Sequence, residues 1–129
     1  MSAVSMRKSP GLEQAPAVID EVHLGRMTLG DRGLEREILE IFVLQAAIML
    51  GRIAGAGPAL MAATAHTVVG SARGIGAWRV AQAAERLERA AAVASEPEER
   101  DQAVEELKAA MLEASAVIGA RLTGGLGGY

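Results

Sequence analysis

Apolar and polar residues follow one another along this chain at the three-and-four spacing of amphipathic helices, and the breaks between such stretches are short. Asp20 is a predicted cap for a short helix holding Val22 and Leu24, with Gly25 near its end and His23 as an ordinary surface residue. Asp31 caps a long second helix, with Glu35 and Glu37 near its positive end and Leu34, Ile38, Ile41, Phe42, Ile48, Met49 and Ile53 as its apolar stripe. Gln45 falls inside that stripe, where its amide needs a partner. Gly55-Ala56-Gly57-Pro58 reads as a helix stop followed by a start, because glycine suits a C-terminal cap and proline a first helical turn.

A third helix is expected from about residue 58 to about residue 73, with Leu60, Thr64, Thr67, Val68, Ser71 and Ile75 turned to the core. Gly74-Ile75-Gly76 is then a tight turn, and a fourth helix over 77–94 buries Val80, Ala84, Leu87 and Ala91. Ser95-Glu96-Pro97-Glu98 is a capping box with proline in the first turn. It opens a last helix carrying Val104, Leu107, Met111, Ala114, Ile118 and Leu122 on one side.

These elements, with no convincing strand among them, predict an all-α fold: an antiparallel up-and-down four-helix bundle with a short additional N-terminal helix, over residues 18–122. Residues 1–17 are expected to be a mobile N-terminal tail, and the Gly-rich residues 123–129 a mobile C-terminal tail. The glycines near the C-terminus lack the lysine and following helix of a phosphate loop, so they carry no expected chemistry.

Composition sharpens this picture. At 129 residues the chain has the size of one domain, and its aromatic residues are limited to Phe42, Trp78 and Tyr129, as suits packed alanine- and leucine-rich helices. A net charge of -3, without basic residues interleaved with aromatics, gives no expectation of a nucleic-acid partner. No cysteine is present, which excludes disulfides and thiol ligands and fits a reducing cytoplasm. Residues 1–9 do not form the apolar core of a signal sequence. The uncharged run from Ile53 to Ala72 is broken by Pro58, His66 and glycines, so no membrane span and a cytoplasmic location are expected.

The candidate chemistry lies between Ala65 and Ala77. Read from its glycines, Gly70-Ser71-Ala72-Arg73-Gly74-Ile75-Gly76 is similar to the nucleotide-binding turn of short-chain dehydrogenases. That turn needs a strand before it and another after the following helix. Ala90 to Asp101 offers only a helix end and a capped turn, so the dehydrogenase reading fails. Read from its histidine, the segment contains His66 about 150° from the centre of the core stripe at 3.6 residues per turn, exposed near the middle of a helix. Its helix neighbours Ala59, Ala62, Ala63 and Gly70 are small, and Arg73 follows two turns on at nearly the same angle. Gly70, at a cost of about 0.5–1 kcal/mol relative to alanine, either clears the approach to His66 or permits close packing of a neighbouring helix.

His66, Gly70, Ser71, Gly76 and Ala77 together resemble the phosphoacceptor segment of histidine-containing phosphotransfer (HPt) domains, and the resemblance runs from about Ile19 to about Arg121 with Leu29-Gly30-Asp31 opening the long helix. It implies that His66 accepts a phosphoryl group from a receiver-domain aspartate and passes it on, as a phosphohistidine intermediate and not as an autonomous kinase. Its implied partners are response-regulator receiver domains and a sensor histidine kinase, in hybrid form, with no membrane or nucleic acid. No cofactor is implied beyond magnesium on the receiver. Ala59, Ala62, Ala63 and Val69 form the expected docking face. Glu88, in a Leu-Glu pair 22 residues after His66, matches the family residue that holds one imidazole nitrogen. The plainer reading of Glu88 is a surface residue paired with Arg89. The lysine that typically follows the histidine by three residues is Val69 here. Arg73 either replaces that charge at the phosphoryl group or serves the helix dipole. The alternative function is a receiver-binding interaction module in which Val69 impairs transfer.

Overall fold

Asp20 caps the first helix of the molecule: its side chain accepts the N–H of His23 at 3.0 Å. The structure, a computed structural model, describes residues 17–93 and 96–127, with backbone alone at 125–127. The expected N-terminal tail up to residue 16, and Ser95 of the capping box, lie outside the described residues.

Five helices follow in order: α1 (Glu21–Met27), α2 (Arg32–Ala54), α3 (Pro58–Ile75), α4 (Trp78–Ala92) and α5 (Pro97–Gly127). Among the described residues there is no strand. α1 stops in a Schellman arrangement, with Gly30 N–H on the Gly25 carbonyl at 2.9 Å and Leu29 N–H on that of Arg26 at 3.3 Å. Asp31 caps α2 through the Leu34 N–H at 3.0 Å, as its position in the sequence predicts. α3 starts at Pro58 after Gly57 and ends at Gly76, whose φ of 79° is left-handed.

α3 packs most extensively on α4, α4 in turn on α5, and α2 touches both α3 and α5. Leu39, Phe42 and Ile53 of α2, Val68, Ala72 and Ile75 of α3, Val80, Ala84 and Leu87 of α4, and Leu107, Met111 and Ile118 of α5 meet in one apolar core. α1 joins it through Leu24, which is wholly buried.

Four expectations need correction. On α2, Leu34, Ile41 and Ile48 are 42%, 52% and 54% exposed, while Glu35, Leu39 and Ala46 are buried in their place. Apolar side chains surround that helix, so spacing alone does not choose the inward stripe. On α3, Leu60 and Thr67 face outward and Ala65, Val69 and Ala72 face in. Gly74 and Ile75 belong to α3, and Gly76 with Ala77 makes the reversal. Finally, α5 continues past Leu122 to Gly127 instead of ending in a tail at Thr123.

Glu35 is buried without being isolated. Its carboxylate accepts from the Thr28 hydroxyl at 3.2 Å and from Arg121 Nη2 at 3.0 Å, and Arg121 also donates twice to Glu21 at 2.9 Å. The Glu21 hydrogen bonds, with a smaller contribution from that of Glu35, raise the Arg121 pKa above its ordinary value, and burial partly opposes them. The cluster ties α1, α2 and α5 together.

Candidate functional site

The reversal between α3 and α4 sets two helix faces side by side. Gly76 is indispensable there: a Cβ on it falls 2.8 Å from Asp20 Cβ and 3.0 Å from the Asp20 carbonyl oxygen. Its own carbonyl accepts the Asp20 N–H at 3.0 Å, and Trp78 Nε1–H donates to Asp20 Oδ2 at 2.9 Å. The His23 N–H first, and Trp78 second, hold the Asp20 carboxyl below the usual carboxylate range. Ala77, next to the turn, is wholly buried.

His23, an ordinary surface residue by its sequence context, has a fixed place. Its Nε2–H donates to the Arg73 carbonyl at 2.8 Å, and its ring lies 4.9 Å from that of Trp78 at a tilt of 58°. α1 is thereby fastened to the last turn of α3.

Across the α3–α4 seam, His66 Nδ1 lies 2.9 Å from Glu88 Oε2. A carboxylate accepts, so Nδ1 carries the proton, and among the described residues the Nε2 lone pair has no protein donor. The imidazole is 74% exposed and the Glu88 side chain 35%. A side chain this open, with Nδ1 on a carboxylate behind it, has its second ring nitrogen accessible to solvent. Arg89 does not take Glu88, so the plainer reading of that residue falls.

Around His66 the helix surface is low. Ala59, Ala63 and Gly70 are exposed and Ala62 is half-buried. A Cβ added at Gly70 meets nothing within 4 Å. Close packing of a neighbouring helix therefore does not account for this glycine.

Two sequence-derived residues sit elsewhere than expected. Val69 is only 6% exposed and belongs to the core, so it is not part of a docking face. At 100° per residue it lies on the side of α3 turned to α4, which also explains why the position suits valine. The Arg73 guanidinium is engaged by Glu85 of α4, in an ion pair 57% and 32% exposed at its two ends. Glu85 escaped notice in the sequence because nothing there separates it from other polar residues on α4; its spacing of three from Glu88 was the available signal.

The family model described as Hpt domain matches residues 37–117 of the 129, more than half of the chain. The chain belongs to the Hpt-domain family. Hpt domains serve phosphotransfer in two-component phosphorelays, where they interact with receiver domains and kinases. The match covers most of α2, all of α3 and α4, and most of α5, and so includes His66, Gly70 and Glu88. No curated protein and no solved structure matches the chain significantly. No helix among the described residues is long and apolar enough to cross a membrane.

Proposed function

We propose that this Hpt-domain protein is a phosphorelay carrier: His66 accepts a phosphoryl group from a receiver-domain aspartate and returns it to the aspartate of another receiver. The observation that carries this reading is the exposed imidazole with Nδ1 on Glu88 and Nε2 turned out. The Nε2 lone pair attacks phosphorus in line, the N–P bond forms, and the P–O bond to the receiver's aspartate breaks with its electrons going to that carboxylate. Positive charge grows on the ring as the bond forms, and the Glu88 carboxylate, already on Nδ1–H, stabilises it. Phosphoryl transfer depends chiefly on positioning and charge, which makes a small helical module sufficient.

α2 to α5 are proposed to form the antiparallel up-and-down bundle that presents α3, with α1 as the short additional helix. The receiver docks over Ala59, Ala62, Ala63 and Gly70, where small side chains let a protein surface come close to the imidazole. Magnesium belongs to the receiver, this chain takes no cofactor, a hybrid sensor kinase supplies the relay, and the setting is cytoplasmic.

A second reading is favoured by the burial of Val69 and the engagement of Arg73 by Glu85. With no cation committed to His66 among the described residues, the domain binds receivers and transfers poorly. Incubation of wild type and His66→Ala with a phosphorylated receiver separates the two. Acid-labile, base-stable label on the wild type alone supports the carrier; receiver binding without label supports the interaction module. An Arg73→Ala variant with unchanged transfer removes Arg73 from the chemistry.

A further inference from the structure

α2 has a second apolar face that the fold leaves open. Leu34, Ile41, Leu44 and Ile48 are 42%, 52%, 67% and 54% exposed. Single exposed apolar residues are normal on any surface, whereas a row of them along several turns marks a place where another surface lies.

The order of residues along that row identifies the surface. At 100° per residue, Glu37, Ile41, Ile48 and Arg52 lie within about 60° of one another, on the side of α2 away from the buried Leu39, Ala46 and Ile53. Leu44 and Gln45 flank the centre of the row. About the midpoint between them, Ile41 and Ile48 are equally distant, and so are Glu37 and Arg52. Reversing the row thus exchanges Ile41 with Ile48 and Glu37 with the opposite charge of Arg52, while Leu44 changes places with Gln45 and Leu34 with Gly55. Glu37 and Arg52 are both exposed, and neither has a hydrogen bond or ion pair within the described residues.

A helix that sets one exposed isoleucine opposite another and one end charge opposite its counter-charge matches itself running the other way. We propose that α2 pairs antiparallel with α2 of a second copy of this chain, about a two-fold axis at Leu44–Gln45. Ile41 then meets the partner's Ile48 and Ile48 the partner's Ile41, and Glu37 meets the partner's Arg52 at both ends. Leu34, at the edge of the row, falls opposite the partner's Gly55, where a side chain has open space. Such isologous contacts repeat every interaction twice. A contact made by one helix from each copy is smaller than the roughly 800 Å² per partner of a standard stable interface, so the dimer is reversible.

The contact requires no phosphoryl group, so its test is separate from that of the His66 chemistry. Sedimentation equilibrium of the whole chain from micromolar to millimolar concentration is expected to show a mass rising from one copy toward two. E37R alone and R52E alone each set like charges against each other and are expected to weaken association about tenfold or more. The double variant E37R/R52E restores the opposite pairing and is expected to return association to within about threefold of wild type. All three changes lie on exposed positions, and circular dichroism checks that the helices persist. A monomer at every concentration overturns the proposal, as does a dimer indifferent to both single changes or a double variant that stays as weak as the singles.

Discussion

His66 Nδ1 and Glu88 Oε2 lie 2.9 Å apart across the seam between α3 and α4. The contact joins two helices that are consecutive in the chain, so its geometry depends on the reversal at Gly76 and on the packing of Val68, Ala72 and Ile75 against Val80, Ala84 and Leu87. An imidazole on the open surface would otherwise turn freely between rotamers and between tautomers. Here the carboxylate behind it accepts from Nδ1–H, and the proposed carrier role falls to the outer nitrogen.

Glu88→Ala is expected to lower the rate of phosphoryl uptake by about tenfold to a hundredfold, by analogy with the loss when a carboxylate that orients a metal-ligating histidine is removed. Glu88→Gln keeps an acceptor for Nδ1–H and is expected to fall between that variant and wild type. The nitrogen chemical shifts of His66 supply a readout independent of rate: the proton stays on Nδ1 in wild type and Glu88→Gln, and exchanges between the two nitrogens in Glu88→Ala.

Gly70 and Gly76 are expected to respond in opposite ways to the same substitution. Gly70→Ala adds a methyl group into open space on a helix and is expected to stabilise the fold by about 0.5–1 kcal/mol. A larger side chain, as in Gly70→Leu, leaves thermal unfolding near that of wild type and weakens receiver binding. Gly76→Ala meets the Asp20 backbone at 3.0 Å and forces a side chain onto a left-handed residue. It is expected to destabilise by about 1–3 kcal/mol, read as a lower unfolding midpoint.

Asp20 links the fold to acid. Its carboxyl is held below the ordinary value in the folded protein by the His23 N–H and by Trp78. A group depressed in this way contributes its stability above the unfolded pKa and loses it as pH falls through the folded one. The junction of α1 with the α3–α4 turn is therefore expected to loosen below about pH 4. Trp78 is the single tryptophan of the chain and donates to Asp20, so its fluorescence reports the event. In Asp20→Asn that fluorescence change is expected to be absent.

Much of this arrangement was legible in the sequence where a residue type has one physical use. Asp20 and Asp31 as caps, Pro58 as a helix start, and the inward faces of α4 and α5 all follow from such residues. The pairing of His66 with Glu88 came from the resemblance to HPt domains, since spacing alone does not distinguish Glu88 from Glu85. α2 was misread because apolar side chains cover it on every side, and the face taken for core includes the row left open on the surface. On α3 two of the buried positions are alanines, and Ala65 and Ala72 are too small to stand out against Leu60 and Thr67. Val69 was placed outside by the family's lysine, while the helix turns that position inward. Arg73 was assigned to the phosphoryl group because a cation was missing, and the carboxylate that holds it sits on another helix.

The central claim is that His66 Nε2 is the phosphoryl acceptor, and the most direct measurement is to locate the phosphorus. After incubation with a phosphorylated receiver and magnesium, phosphorus and nitrogen magnetic resonance on the ring-labelled protein is expected to show a single N–P bond at Nε2 of His66, with the proton retained on Nδ1. Phosphorus on Nδ1, on His23 or on no histidine at all contradicts the account.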